Sequence, residues 1–332
     1  MVKMSFLTLL LLTVTPTYAL KYTIYTDESD GKKANEVINE LKNTYPFNTF
    51  NIEYEIVQLP EAQLKCESKM GIERLVACET DDLVREAARR GSDQVMVVKK
   101  SDKWGGSAAE GGVPVITTGT SARAMIHEYL HVLGICDEYE YKAEEAEIYC
   151  NTDKKKPNLT IIQPLSDGYP SDTHARNEHK SEIPWYKKIK ETTLITNGSA
   201  LGTGAVDYSK SAPKNNTTNP TLLDDATGLY KGKTCKNSSR NLATWHPGGN
   251  SNIMENVDNG LGAPMEEIVK EILASKGARK RENTFNTVEN REPNIEVSEP
   301  PIQVNNTPRN FFKSFFEALG NFFKSIINAI SK

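Results

Sequence analysis

The sequence predicts a mixed α/β (α+β) protein, and three observations predict it. Residues 20–120 alternate between segments of strand period and segments of helix period. Beyond Tyr149 the chain turns rich in Asn, Pro, Gly and Thr, with only short periodic stretches. The last twenty or so residues carry one continuous apolar face. At 332 residues, with 38% hydrophobic and 25% charged side chains, the chain can build a large folded domain. A net charge of -4 excludes a nucleic-acid binder that relies on a long-range basic field.

Residues 1–19 read as a secretory leader. Lys3 gives a weakly positive start, residues 6–14 an apolar run, and Thr17-Tyr18-Ala19 a small-x-small cleavage site. The mature protein is expected to begin near Leu20, in an extracellular or periplasmic space where disulfides persist. Of the five cysteines, Cys66 and Cys78 bracket a short loop and are expected to pair. Cys150 joins either Cys235 or Cys136, which leaves one thiol over. No C-x-x-C occurs, so the cysteines do not form a zinc knuckle.

Residues 21–25 read as a strand and 32–45 as an amphipathic helix, with Ala34, Val37, Ile38 and Leu41 at helical spacing. Residues 50–59 alternate as a half-buried strand does. Thr80 is placed to cap a helix over 81–90 that stops at Gly91, and 94–98 is a buried strand. A Gly-rich stretch, 104–112, precedes a strand at 113–118. Ser121 is then expected to cap the helix that carries the chemistry. The loop-rich half should hold short elements, fixed by disulfide, packing or calcium, with Glu144, Glu145 and Glu147 the carboxylates that calcium would use. Solvated helix face is the plainer reading of those three. Residues 264–275 form a further helix, and 277–310 a polar linker.

In the terminal segment, 311–332, Phe311, Phe315, Leu319, Phe322, Ile326 and Ile330 project with their neighbours onto a face about 160° wide. Its aromatic content, modest positive charge and preceding linker suit contact with a membrane surface. Docking on the main domain or pairing with a second copy would cover the same face. The expected organisation is a leader at 1–19, a catalytic domain at 20–276 divided between 134 and 135, a linker at 277–310 and an amphipathic helix at 311–332.

The strongest motif is His127-Glu128-Tyr129-Leu130-His131-Val132-Leu133-Gly134-Ile135-Cys136-Asp137. On a helix His127 and His131 lie one turn apart and can grip one ion, while Glu128 beside them can reach a water on it. Gly134 ends the helix and turns the chain, which returns Asp137 as third ligand. A longer turn would deliver Glu138 instead. Three protein ligands leave a position open, the catalytic zinc arrangement. With five histidines, HExxH alone arises by chance in on the order of one such sequence in a hundred, and the Gly and Asp offsets make accident rarer still. His174 and His179, five apart, are poorly spaced for a second metal pair and read as ordinary surface or core histidines.

HExxHxxGxxD resembles the metzincin metallopeptidase pattern with Asp as third ligand, as in snapalysin-like enzymes. Ser251-Asn252-Ile253-Met254-Glu255-Asn256 resembles that clan's Met-turn, with Met254 as the methionine. HExxHxxGxxDEY, together with Ile183-Pro184-Trp185-Tyr186 and Trp245-His246-Pro247, is similar to bacterial secreted peptidases of the immunoglobulin-A-cleaving type. The resemblance runs over about 21–272, and in that last type the Asp stands one residue later. It implies a twisted mixed sheet before the active-site helix, with an antiparallel edge strand that binds substrate as a further strand. Residues 104–110 are the candidate edge strand; a flexible hairpin loop is their plainer reading.

The expected function is a secreted zinc endopeptidase acting on protein or peptide. Zinc acidifies a water and polarises the scissile carbonyl, and Glu128 takes the proton and passes it to the leaving amine. Tyr139, Tyr230 and His246 are candidates for oxyanion or substrate contacts. Two other readings stay open. One is a membrane-active or surface-binding protein with a structural or relict metal site. The other is a zinc amidase acting on cell-wall peptides.

Overall fold

The computed structural model describes residues 19–69, 73–150, 155–203, 226–249 and 252–289. Most of the expected leader, 1–18, and the terminal segment, 311–332, lie outside these residues. Within them the chain is mixed α/β. The first half contains β1 (Leu20–Thr26), α1 (Lys32–Asn43), β2 (Ile52–Gln58), a small hairpin of β3 (Cys66–Ser68) and β4 (Val76–Cys78), and α2 (Asp81–Arg89). It continues with β5 (Gln94–Lys99), β6 (Gly106–Ser107), β7 (Val115–Thr117) and α3 (Arg123–Val132).

Five of these strands form one sheet in the order β2-β1-β5-β7-β6. The first four are parallel, and β6 runs antiparallel to β7 at the edge, pairing Gly106 with Ile116 and Ser107 with Val115. The antiparallel strand thus falls inside the 104–110 stretch, though only two residues long.

Side chains alternate across the sheet as strand period requires. Tyr22 and Ile24 of β1, with Met96 and Val98 of β5, join a core with Val37 and Leu41 of α1 and Met125, Ile126 and Leu130 of α3. Tyr25, Val95 and Val97 point the other way, into a second cluster with Leu83 and Ala87, one turn apart on α2. Both sheet faces are covered, which accounts for the near-continuous apolar run of β5.

Two caps differ from expectation. Thr80 sits at the α2 N-cap position but makes no side-chain capping bond; Asp81 and Asp82 in the first turn instead complement the helix dipole. The α3 cap position is Ala122 rather than Ser121. Tight turns supply the bonds there, Ala124 N–H to the Ser121 carbonyl at 3.1 Å and Met125 N–H to Ala122 at 3.0 Å.

The second half holds α4 (Ala143–Tyr149), β8 (Thr160–Ile161), α5 (Asp172–His179), β9 (Thr196–Asn197), β10 (Ala200–Leu201), β11 (Tyr230–Gly232), β12 (Thr244–His246) and α6 (Ala263–Glu289). β11, β12 and β8 make a small antiparallel sheet, and β9 and β10 a hairpin. Trp185, Trp245, Met254 and Met265 belong to the same core cluster as β1 and α3, so both halves share one interior.

α6 runs through Glu289, well past Gly277, where the linker was expected to begin. Polarity suggested a linker there, but Ala278, Arg279, Lys280, Arg281 and Glu282 are strong helix formers and the next proline is Pro293. The chain divides into two compact units at Asn283; the site belongs to the first.

Disulfides join Cys66 to Cys78 and Cys150 to Cys235, leaving Cys136 as the free thiol. This resolves the choice left open for Cys150. The second bond sits in a small cluster of its own with Tyr141, Ala146 and Leu242. Such bonds are consistent with an extracellular setting. No helix among the described residues is long and apolar enough to cross a membrane.

Candidate metal centre

α3 carries His127 and His131 one turn apart, with their rings nearly perpendicular and centroids 4.8 Å apart. Each Nδ1 donates to a main-chain carbonyl, His127 to Ile253 at 3.0 Å and His131 to Ile135 at 2.9 Å. A carbonyl only accepts, so both protons sit on Nδ1 when the rings are neutral, and both Nε2 lone pairs are free to ligate.

Past the helix, Gly134 takes φ +88°, with its N–H bonded to the His131 carbonyl at 2.9 Å and Ile135 N–H to Leu130 at 3.0 Å. A side chain with a Cβ is strained in that conformation. The turn brings Asp137 back over the histidines. Its Oδ2 accepts from the Tyr141 hydroxyl at 3.0 Å. Its Oδ1 lies 3.2 Å from His127 Nε2 and 3.3 Å from His131 Nε2.

That oxygen is buried and has no hydrogen-bond partner among the described residues. The three ligand atoms lie within 4.8 Å of one another. A buried carboxylate oxygen that no group donates to while both rings are neutral, converging with two imidazole nitrogens, is what a divalent cation would satisfy. Two imidazoles and a carboxylate suit zinc and other divalent transition metals alike.

The charges agree with this arrangement. Burial opposes ionisation of Asp137, yet the two imidazoles beside it hold its carboxyl far below the usual range. Burial lowers His131, but the Asp137 and Glu128 carboxylates outweigh it and hold the imidazolium up to about 9 in the metal-free chain. Glu128 is raised, chiefly by burial, with the histidines pulling the other way. Its Oε1 rests against the edge strand, 2.9 Å from where a Cβ on Gly106 would stand. The potential base, the ligands and the sheet edge therefore meet at one place.

Glu138 is not a ligand. It is 6% exposed and clamped by other groups: Oε1 accepts from Asn158 Nδ2 at 2.8 Å, and Oε2 from Asn252 Nδ2 at 2.6 Å. His246 Nδ1 lies 3.5 Å from the same Oε2. The Glu138 amide donates to the Met254 carbonyl at 3.0 Å. Asn158 also exchanges two bonds of 2.8 Å with the Cys136 backbone. This buried network fixes the turn that presents Asp137. Sequence reasoning assigned Asn158 and Asn252 no role because a lone asparagine has no signature, although Asn252 stood in the Met-turn-like stretch two residues before Met254.

The remaining candidates separate. Met254 is fully buried, directly after the Ile253 carbonyl that orients His127. Tyr139 stays near the centre, edge-on to Tyr141 at 5.3 Å, its hydroxyl raised by burial and by Asp137. Tyr230 and His246 pair across β11 and β12. Tyr230 donates to the Ala226 carbonyl at 3.1 Å and His246 faces Glu138, so neither joins the ligand cluster.

His174 and His179 form no metal pair: His179 Nδ1 binds Glu182 at 2.8 Å and Nε2 binds the Tyr169 hydroxyl at 2.7 Å. The carboxylates considered for calcium are otherwise engaged or exposed. Glu145 binds Arg74, Glu147 accepts from the Ser239 amide, and Glu144 faces solvent. Among the described residues the His127, His131 and Asp137 group is the one cluster arranged to hold a metal. No protein-family model matches this chain, and no curated protein matches it in sequence.

Proposed function

We propose that the chain is a secreted zinc endopeptidase of metzincin type. One observation carries the reading: two imidazoles with their far nitrogens locked to carbonyls converge on one buried carboxylate oxygen that has no donor while the rings are neutral, with Glu128 between them and the sheet edge. His127, His131 and Asp137 would hold the ion, which supplies Lewis acidity and an acidified water when bound.

Glu128 acts on the substrate side. Its raised pKa suits a group that must take a proton from the attacking water and return it to the leaving amine nitrogen near neutral pH. The antiparallel edge strand β6 is the surface along which an extended peptide would lie. Met254 would form the floor behind His127, and Tyr139, beside Tyr141 and Asp137, is the candidate hydroxyl for the developing oxyanion. The four-parallel, one-antiparallel sheet followed by the metal-binding helix supports the metzincin assignment. The 1–19 leader and the two disulfides support export, and the 311–332 segment is proposed to rest on a membrane surface.

The test uses the full chain. Zinc is expected at one equivalent by atomic absorption, with cleavage of casein that a chelator stops and zinc restores. Glu128→Ala should retain the metal and lose the cleavage. Full activity in that variant would remove the mechanism, and a metal-free chain that still cleaves would remove the class. A chain that leaves casein intact but opens cell-wall peptides would be an amidase.

A further inference from the structure

One flank of β6 is bonded to β7; the other is a sheet edge, and free edges recruit strands. The chain itself takes that flank. The Gly106 amide donates to the Arg74 carbonyl at 3.0 Å, and the Ser107 hydroxyl donates to the Val76 carbonyl. At Gly105 a Cβ would stand 2.9 Å from the Arg74 carbonyl, so the two backbones are in close contact. Arg74 and Val76 lie on the β4 arm of the hairpin whose base the Cys66–Cys78 bond closes.

Arg74 also reaches away from the sheet. Its guanidinium binds Glu145 Oε1 on α4 at 2.8 Å, the pair being 47% and 18% exposed. Glu145 is itself seated by the Lys142 amide, 3.4 Å from Oε2. Arg74 therefore joins the edge strand to the helix that follows Asp137. The residue it holds, Gly106, is the one against which Glu128 rests, and its charge is felt at Glu128, Tyr139 and Tyr149.

We propose that residues 73–76 are a built-in occupant of the substrate edge, strapped down by the Arg74–Glu145 ion pair, and that an extended peptide must displace them to reach Glu128. The inference rests on the peptidase reading. The physical reason is competition for one main-chain donor: the Gly106 N–H cannot serve the Arg74 carbonyl and a substrate carbonyl at once. A partly exposed ion pair biases such an equilibrium by about two- to fivefold, enough to tune access and too little to forbid it.

The experiment compares the full chain with Arg74→Gln, Glu145→Gln and the double charge swap Arg74→Glu with Glu145→Arg. Amide exchange at Gly106 is followed by NMR in the zinc-free and zinc-loaded protein, and kcat and KM are measured on casein. Each single variant should exchange faster at Gly106 and lower KM by about two- to fivefold, and the charge swap should return both towards the parent. Unchanged exchange in single variants that melt with the parent overturns the strap, and so does faster exchange with an unchanged KM. A zinc-loaded parent and variants that all leave casein uncut overturn the peptidase reading, and the competition with it, whatever Gly106 does.

Discussion

Glu128, Gly106 and Glu138 shape the candidate metal centre, and on the proposed reading its chemistry depends on them. Glu128→Gln keeps the packing but removes the proposed base. Hydrolysis should fall by about 10²- to 10⁴-fold while bound zinc and the melting temperature hold. Gly106→Ala leaves every ligand in place. Its Cβ would nonetheless meet Glu128 Oε1 at 2.9 Å and the Val115 carbonyl at 3.0 Å. The carboxylate has to shift, so kcat should drop by on the order of ten- to a hundredfold with zinc stoichiometry unchanged. Glu138→Ala strips Asn158 and Asn252 of their shared acceptor and removes the carboxylate that His246 faces. Urea denaturation should show a loss of about 3–5 kcal/mol, and zinc affinity should weaken by about 10- to 100-fold because Asp137 hangs on the same turn.

At the scale of elements, α5 and the β9 hairpin are tied together by one carboxylate. Asp172 pairs with Arg176 Nε at 2.6 Å and accepts from the amides of Ile195 and Thr196 at 2.7 and 3.0 Å. Burial alone would raise its pKa, but the guanidinium and those donors pull it below the ordinary value. A depressed folded-state pKa stabilises the protein above the unfolded-state value near about 4, and that stabilisation is lost as pH falls through the folded-state value. Resistance to urea should therefore fall below about pH 4, and Asp172→Asn should be less stable at pH 6 with a smaller acid step. Element positions were legible where period is strong, as with the Ala34, Val37, Ile38 and Leu41 stripe of α1. They were not legible for β8 to β12, where two or three residues pair through distant partners and leave no local period. The extent of α6 was misjudged because composition was weighed above helix propensity.

Over the whole molecule, the Cys150–Cys235 bond joins parts that sequence separates, and the proposed metal would lock the turn after α3 onto that helix. At a free zinc concentration a hundredfold above Kd, binding should add about 2.7 kcal/mol, so chelation should lower Tm by roughly 5–10 °C for a domain of this size. A chain whose Tm ignores both zinc and chelator would lack the site. Cys150 and Cys235 are 85 residues apart, and opening that loop should cost roughly 4–5 kcal/mol by loop entropy. Scanning calorimetry of Cys150→Ala with Cys235→Ala would measure it.

His127, His131, Gly134 and Asp137 were readable because their geometry is local: one helical turn and one tight turn fix them, and both are encoded in eleven consecutive residues. The antiparallel edge strand was expected only from the metzincin resemblance; the glycines of 104–110 by themselves read equally as a hairpin loop. Folding in three dimensions decided the rest. It placed Ile253 over His127, spent Glu138 on two asparagines from other segments, and laid Arg74 across the edge beside Glu128. A hydrogen bond is specified by separation and direction in space, and residues a hundred positions apart carry no trace of either in their order along the chain.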